Sequence, residues 1–341
     1  MKVRVRNLGK CVILIILIMI IGNAFKGSLT ELKSDSTSTD KNILKVPSTS
    51  QSFLVHPPIV ITNNGAFGSY NFSGMGTRGD PFIIEGYNIT SQGVNAVGIE
   101  IRNTNLFFII NGCVIYSDWV GILLNNVADG TSKIKSNIIV SLTGDGGGIG
   151  LGDMRNCTVS KNVCTNFMQG IHLNNVNDCI IYYNYIYDSN YQGINIRYSD
   201  SNLITHNRIR NSKEHGIALV GTSSNNEIHH NIFEGNTWSD TYEIDGVPKG
   251  SPSSQGYDEG SNNRWYDSRS YYGNAWSDYF GIGPYEIDGP ANSVDLYPGS
   301  PTELTPFSGI VIYTSIAIGF VVFLTIYLVY YRRRQKIEVV E

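Results

Sequence analysis

Between residues 83 and 240 the apolar positions alternate with polar ones in short bursts, as in Gly170-Ile171-His172-Leu173 and Gly193-Ile194-Asn195-Ile196. Asn, Asp, Gly or Ser ends each burst. A period of two is that of a strand with one buried face, and the residues between bursts are turn formers. The bursts also recur. Gly-Ile pairs begin at 98, 121, 148, 170, 193 and 216, at intervals of 22 to 27 residues. In step with them run Asn137, Asn162, Asn184, Asn207 and Asn231. Each follows an aliphatic residue by three (Ile134, Val159, Ile181, Ile204, Ile228) and precedes another apolar one by two (Ile139, Cys164, Ile186, Ile209, Phe233).

A unit of this length holds about three short strands and can bury their common face only by stacking on the next unit, which predicts an all-β parallel solenoid with about 22–24 residues per rung. Leucine-rich repeats share the unit length but need a Leu pattern and a helical segment that are missing here. Stacked rungs bring equivalent residues to ~4.8 Å of one another. The Asn series then forms a structural ladder, since Asn tolerates a left-handed bend and bonds its own kind above and below. By the same register Cys157 and Cys179 are vertical neighbours within disulfide reach, with two buried thiols as the even alternative. Cys113 and Cys164 read as small core residues.

Both ends of the chain point to a membrane. Lys2, Arg4, Arg6 and Lys10 precede an apolar run from Cys11 to Ile21, the pattern of a signal peptide or N-terminal anchor over 1–25. Residues 26–52, rich in Ser, Thr, Lys and Asp, read as a disordered linker. Residues 310–331 carry no charge, long enough to span a bilayer, and Arg332, Arg333, Arg334 and Lys336 follow in the tail 332–341. The positive-inside rule then puts the C-terminus in the cytoplasm and the solenoid outside the plasma membrane. Between these ends the expected parts are an N-terminal cap (53–82), the β-helix (83–240), and an aromatic cap and stalk (241–305). Gly, 36 of 341 residues, adds turn chemistry, and a net charge of −4 offers no basic surface, which excludes nucleic acid as a partner.

The ladder resembles the right-handed parallel β-helices of carbohydrate-binding proteins and sugar hydrolases, and within them the NosD-like family, often labelled periplasmic copper-binding. The stretch Gly74-Met75-Gly76-Thr77-Arg78-Gly79-Asp80-Pro81 is similar to that family's entry cap. Tyr272-Gly273-Asn274-Ala275-Trp276-Ser277-Asp278-Tyr279, with Pro284-Tyr285 and Val294-Asp295-Leu296-Tyr297-Pro298, is similar to its closing motif. Where members commonly carry an Asp/Gly-rich stretch, only Phe280-Gly281-Ile282-Gly283 stands here, which argues against a calcium loop. Trp238-Ser239-Asp240 with Tyr242 echoes the closing motif and suggests a duplicated cap.

Three kinds of chemistry are open to such a surface. Polysaccharide cleavage by a lyase or glycoside hydrolase needs clustered carboxylates, and Asp118, Asp145, Asp153, Asp178, Asp188, Asp200 and Glu214 fall mostly in turns. The copper-site maturation that the resemblance implies would need clustered ligands. His206 and His230 precede ladder Asn residues and stack, with His229 adjacent, so these three are the candidate copper ligands. No other cofactor is indicated. Binding without catalysis has the broadest support: Tyr185, Tyr187, Arg208 and Arg210 lie one and three positions after ladder Asn residues and face outward together. Residues 182–198 hold six of the 21 Tyr. Rings stack on sugar faces while Arg and Asn bond hydroxyls, so the expected partner is a cell-surface glycan or polysaccharide, and the expected role a non-catalytic glycan-binding module.

Overall fold

A computed structural model describes residues 53–301, apart from positions 238, 240, 245, 246 and 249. The signal or anchor (1–25), the linker, the span 310–331 and the basic tail lie outside the described residues. So does part of the Trp238 echo. The chain winds into a parallel β-solenoid of three sheets, one strand per sheet per coil. Sheet A has nine strands, sheet B eight and sheet C seven. One coil runs Thr158–Ser160 in C, Val163–Thr165 in A and Gln169–Asn177 in B, before Ile180–Tyr182 returns to C.

The register is that of the repeat. Ile122, Ile149, Ile171, Ile194 and Ile217 lie in line in sheet B, and Ile139, Cys164, Ile186, Ile209 and Phe233 in sheet A. All are fully buried, and with Ile134, Val159, Ile181, Ile204 and Ile228 of sheet C they form one continuous core. The Gly of each Gly-Ile pair is a steric necessity. A Cβ at Gly170 would stand 2.3 Å from Cγ2 of Ile186 and 2.8 Å from the carbonyl of Gly193.

Hydrogen-bonded columns run along two of the corners. Between C and A, each ladder Asn after Asn137 accepts from the backbone and side-chain amides of the Asn before it, and Asn137 accepts from the Cys113 backbone amide at 2.9 Å. Asn162 donates both to Oδ1 of Asn184 at 3.0 Å, and Asn184 donates both to Oδ1 of Asn207 at 2.9 Å. The residue before each Asn (Ser136, Lys161, Tyr183, His206, His230) has φ of 55–58°, the left-handed bend that makes a two-residue corner. The column continues into the closing motif: Asn274 accepts from the amide of Asn231 at 3.1 Å, and buried Asp295 ends the series by accepting from the Asn274 amide and the Trp276 indole. Between B and C, Asn202, Asn226 and Asn263 form a second column. Its earlier positions are Cys157 and Cys179.

These two cysteines are vertical neighbours, but both are free thiols. Sγ of Cys179 accepts from the Cys157 backbone amide at 3.0 Å, the place an Asn oxygen takes further along, and the Cys179 amide donates to Asn202 at 2.9 Å. The expected alternative of a disulfide gives way to that of two buried thiols. Cys113 and Cys164 are buried in the core.

Stacked rings close the two ends, covering core that would otherwise be open to water. At the first end Phe67, on the short 3₁₀ helix Asn64–Ser69, stacks on Phe82 at 4.7 Å. At the last, Trp276 lies between Phe233 at 4.4 Å and Tyr285 at 4.2 Å.

Candidate functional site

The expected face on sheet A assembles in register but is not open. Tyr185 pairs with Arg208 and Tyr187 with Arg210, and all four point away from buried Ile186 and Ile209. Tyr185 is only 7% exposed, lying between Val163 and Arg208 with its ring 5.1 Å from that of Tyr187. Arg208 is held by a two-pronged ion pair to Glu234, at 2.9 and 2.7 Å. Tyr187 is half-buried, and burial pushes its phenol above the ordinary range. Arg210 is exposed. Pointing outward and being accessible are separate conditions, and long side chains on adjacent strands cover one another.

The three histidines do meet. His206 stacks on His230 with ring centroids at 5.0 Å, and His229 stands edge-on to His230 at 4.9 Å. Tyr183 and Tyr272 extend the stack on either side. Their Nδ1 atoms, however, are already engaged. Nδ1 of His229 and Nδ1 of His230 share a hydrogen bond of 2.7 Å, and Thr205 Oγ1 contacts Nδ1 of His206 at 2.8 Å and of His229 at 3.3 Å. Burial and the neighbouring imidazoles lower the pKa of His206 to about 4, and those of His229 and His230 also fall. Among the described residues no group of three or more His, Cys, Asp or Glu side chains converges in a form that could hold a metal ion.

The exterior of sheet B is a second outward surface, on which Arg102 and Asn174 are exposed while Asn195 is buried. Its outward positions are those next to the buried Ile and Leu: Glu100, Leu123, Gly150, His172 and Asn195 on one line, and Arg102, Asn125, Gly152, Asn174 and Arg197 on a second. On the strand Gly147–Arg155 both outward positions are Gly, and the side chains of Leu123 and Asn125 lean over them. The result is a shallow strip of amide, imidazole and guanidinium groups. Gln169 donates to Gln192 at 3.0 Å, Gln192 donates to buried Glu214, and Asn195 donates to Gln192 at 3.3 Å. Nδ1 of His172 is buried without a hydrogen-bond partner, and burial lowers the pKa of this ring, which keeps it neutral.

Exposed rings border this strip. Trp119 and Tyr191 precede the strands Val120–Val127 and Ile194–Arg197, and Tyr198 follows the latter, with the Arg197 guanidinium 4.8 Å from its ring centre. Through Asn190 the Tyr191 side adjoins a polar groove of about 470 Å³ lined by Asn166, Asp188, Asn211 and Lys213. Toward the last coils the strip is closed: Tyr242 packs on Ala218, Val220 and Tyr257, and buried His215 bonds Asp288 at 3.1 Å. The residue after each Gly-Ile pair was the available sequence signal for this face, though only its irregularity (Glu, Leu, Gly, His, Asn, Ala) sets it apart from the core pattern.

A family model agrees with the architecture. Residues 120–250 match the family model described as a right handed beta helix region. No curated protein matches the chain. Among solved structures it is similar to a periplasmic alginate epimerase, at 21% identity over 64% of this chain and 50% of that one, with a TM-score of 0.40. It is also similar to an exopolygalacturonase from Thermotoga maritima, at 14% identity over 45% and 48%, with a TM-score of 0.33. DFA-IIIase from Arthrobacter chlorophenolicus A6 gives 15% identity over 64% and 48%, with a TM-score of 0.36. The chain thus spans about half the length of each.

Proposed function

We propose that this protein is a membrane-anchored, extracytoplasmic β-helix that binds a polysaccharide without cleaving it, and that the exterior of sheet B is its binding face. The observation that carries this reading is the border of exposed rings, Trp119, Tyr191 and Tyr198, around a strip of hydrogen-bonding side chains. Sugar rings present apolar faces to such side chains and hydroxyls to amides and guanidinium groups. Two of the turn carboxylates are engaged within the coils: Asp178 pairs with Arg155 at 2.6 Å, and Asp153 accepts from Asn125 and Asn175.

The test is binding of the full chain, in detergent, to an array of neutral and acidic polysaccharides. Trp119→Ala and Tyr191→Ala are expected to weaken binding several-fold, since a ring contact is worth about 1 kcal/mol. Arg210→Ala, on sheet A, is expected to leave it unchanged. Loss on Arg210→Ala with no effect of the ring variants would move the site to sheet A. No binding to any polysaccharide would refute the function.

A further inference from the structure

The last coil and its cap expose six large apolar or aromatic side chains: Tyr271, Tyr272, Phe280, Ile282, Leu296 and Tyr297. Two of them stand out. Phe280 and Ile282 are 92% and 88% exposed, on a tip between the strands Ala275–Trp276 and Tyr285–Glu286. The alternating glycines of the tip, Gly281 and Gly283, have φ of +82° and +73°, a backbone that other residues rarely adopt. The base of the tip is pinned, because Tyr279 donates its hydroxyl to the Gly283 carbonyl at 2.7 Å and Tyr285 donates to Asp278 at 3.0 Å. From Tyr279 to Tyr285 there is no charge. A pinned tip that holds Phe and Ile in water is the kind of apolar surface that marks a contact with a membrane or partner.

The sequence that follows identifies which. Ala275 bridges Gly299, so the end of the described chain belongs to the same cap as the tip. The uncharged run 310–331 begins nine residues beyond Pro301. Even fully extended chain covers only ~3.3–3.6 Å per residue, so the cap lies within about 30 Å of the start of that run. If that run spans a bilayer, the cap sits beside the bilayer surface. Tyr271, Tyr272 and Tyr297 then have the amphipathic character of interfacial aromatics, and Phe280 and Ile282 that of residues that enter the acyl boundary.

We propose that the Phe280–Ile282 tip inserts into the outer leaflet of the membrane that anchors the chain, fixing the C-terminal end of the solenoid against the lipid surface. The proposal rests on the membrane anchor of the proposed function and is independent of the glycan face. It is tested with the full-length chain in phosphatidylcholine vesicles, carrying Phe280→Trp, Ile282→Trp or, as a control, Val94→Trp, which is 95% exposed in the first coils. The readout is the added Trp emission relative to the parent chain, quenched either by aqueous iodide or by lipid brominated in the acyl chain. Both tip variants are expected to be quenched by the brominated lipid and sheltered from iodide, and the Val94 variant to show the reverse. A tip as open to iodide as the control, in a chain that floats with the vesicles, overturns the tip and leaves the anchor standing. A tip reached by neither quencher means contact with protein and also overturns it. A chain that does not float overturns the anchor and the tip together.

Discussion

Asn184→Ala removes one member of the buried corner column, and the structure says what is lost. Asn184 is fully buried, and its Oδ1 accepts from both the backbone and the side-chain amide of Asn162 at 3.0 Å. Its Nδ2 donates to Oδ1 of Asn207 and the Val159 carbonyl at 2.9 Å, and to the Tyr182 carbonyl at 3.2 Å. Alanine leaves the Asn162 backbone N–H facing a dry gap, while the Asn162 side chain keeps a second bond to the Ile134 carbonyl and Oδ1 of Asn207 keeps the Asn184 backbone N–H. An orphaned buried group costs about 1–3 kcal/mol, and weakened partners and the small cavity add about 1–2 more. The expected destabilisation is roughly 2–5 kcal/mol, a large share of the ~5–15 kcal/mol that holds a domain folded. Urea unfolding of the full chain in detergent, followed by Trp emission, measures it against Asn125→Ala, whose one bond, to Asp153 at 3.2 Å, is exposed. Because solenoids can open coil by coil, limited proteolysis near residues 160–210 serves as a second readout. If the two variants unfold at the same denaturant concentration, the column does not hold the coils together and the reasoning fails.

Ile186→Asp places a charge among fully buried side chains, where its desolvation is not repaid, and is expected to abolish recovery of folded protein; a folded variant by circular dichroism would show the inward register to be wrong. His206 titrates near 6.5 when unfolded and about 4 in the fold, so the unfolded chain takes up a proton that the folded one refuses. Its contribution to stability is therefore intact above pH 6.5 and is lost as pH falls toward 4; His206→Asn, which suits the left-handed φ of 55°, should flatten that dependence in urea titrations, and an unchanged slope would exclude this ring as the cause. Burial pushes the Cys113 thiol up to about 11 and raises Cys157 and Cys164 as well, with the Cys179 contact the first cause for Cys157. These thiols should resist labelling at pH 8 until the chain unfolds, and reductant should leave the unfolding midpoint unchanged; rapid native labelling, or a midpoint that drops in reductant, would contradict the free, buried thiols.

Much of the fold was legible because stacking imposes one residue type on one position coil after coil. A Cβ at Gly193 would meet Ile209 at 2.3 Å just as one at Gly170 meets Ile186, so the same clash selects Gly in every rung, and the selection is visible as a period. The Asn column repeats for the same reason. What the period hid was substitution within a column. The shared register of Cys157 and Cys179 fits a disulfide and two buried thiols equally, whereas the shared position is the earlier part of a column that Asn202, Asn226 and Asn263 continue, and a sulfur accepts the backbone amide there as an amide oxygen does later. Spacing alone brings two cysteines together without distinguishing a bond from a relay.

The candidate site was less legible, because the outward positions answer to no such clash. On sheet B the line Glu100, Leu123, Gly150, His172, Asn195, Ala218 has no repeat, and each residue is free to differ as long as the Ile beside it stays inward. Sheet A shows the opposite difficulty. Its outward residues looked like a binding surface by type, with Tyr and Arg in register, yet the coils bring Tyr185 under Arg208 and tie Arg208 to Glu234. A ring can stack on a sugar only if no neighbouring side chain already occupies its face, and that depends on the length of the side chains one coil away rather than on the residue itself. The rings that stay open here, Trp119 and Tyr191, precede strands of a sheet whose middle strand carries glycine at both outward positions, whereas the Arg197 guanidinium already lies over Tyr198. The absence of side chains at Gly150 and Gly152 therefore shapes the proposed face as much as the rings that border it.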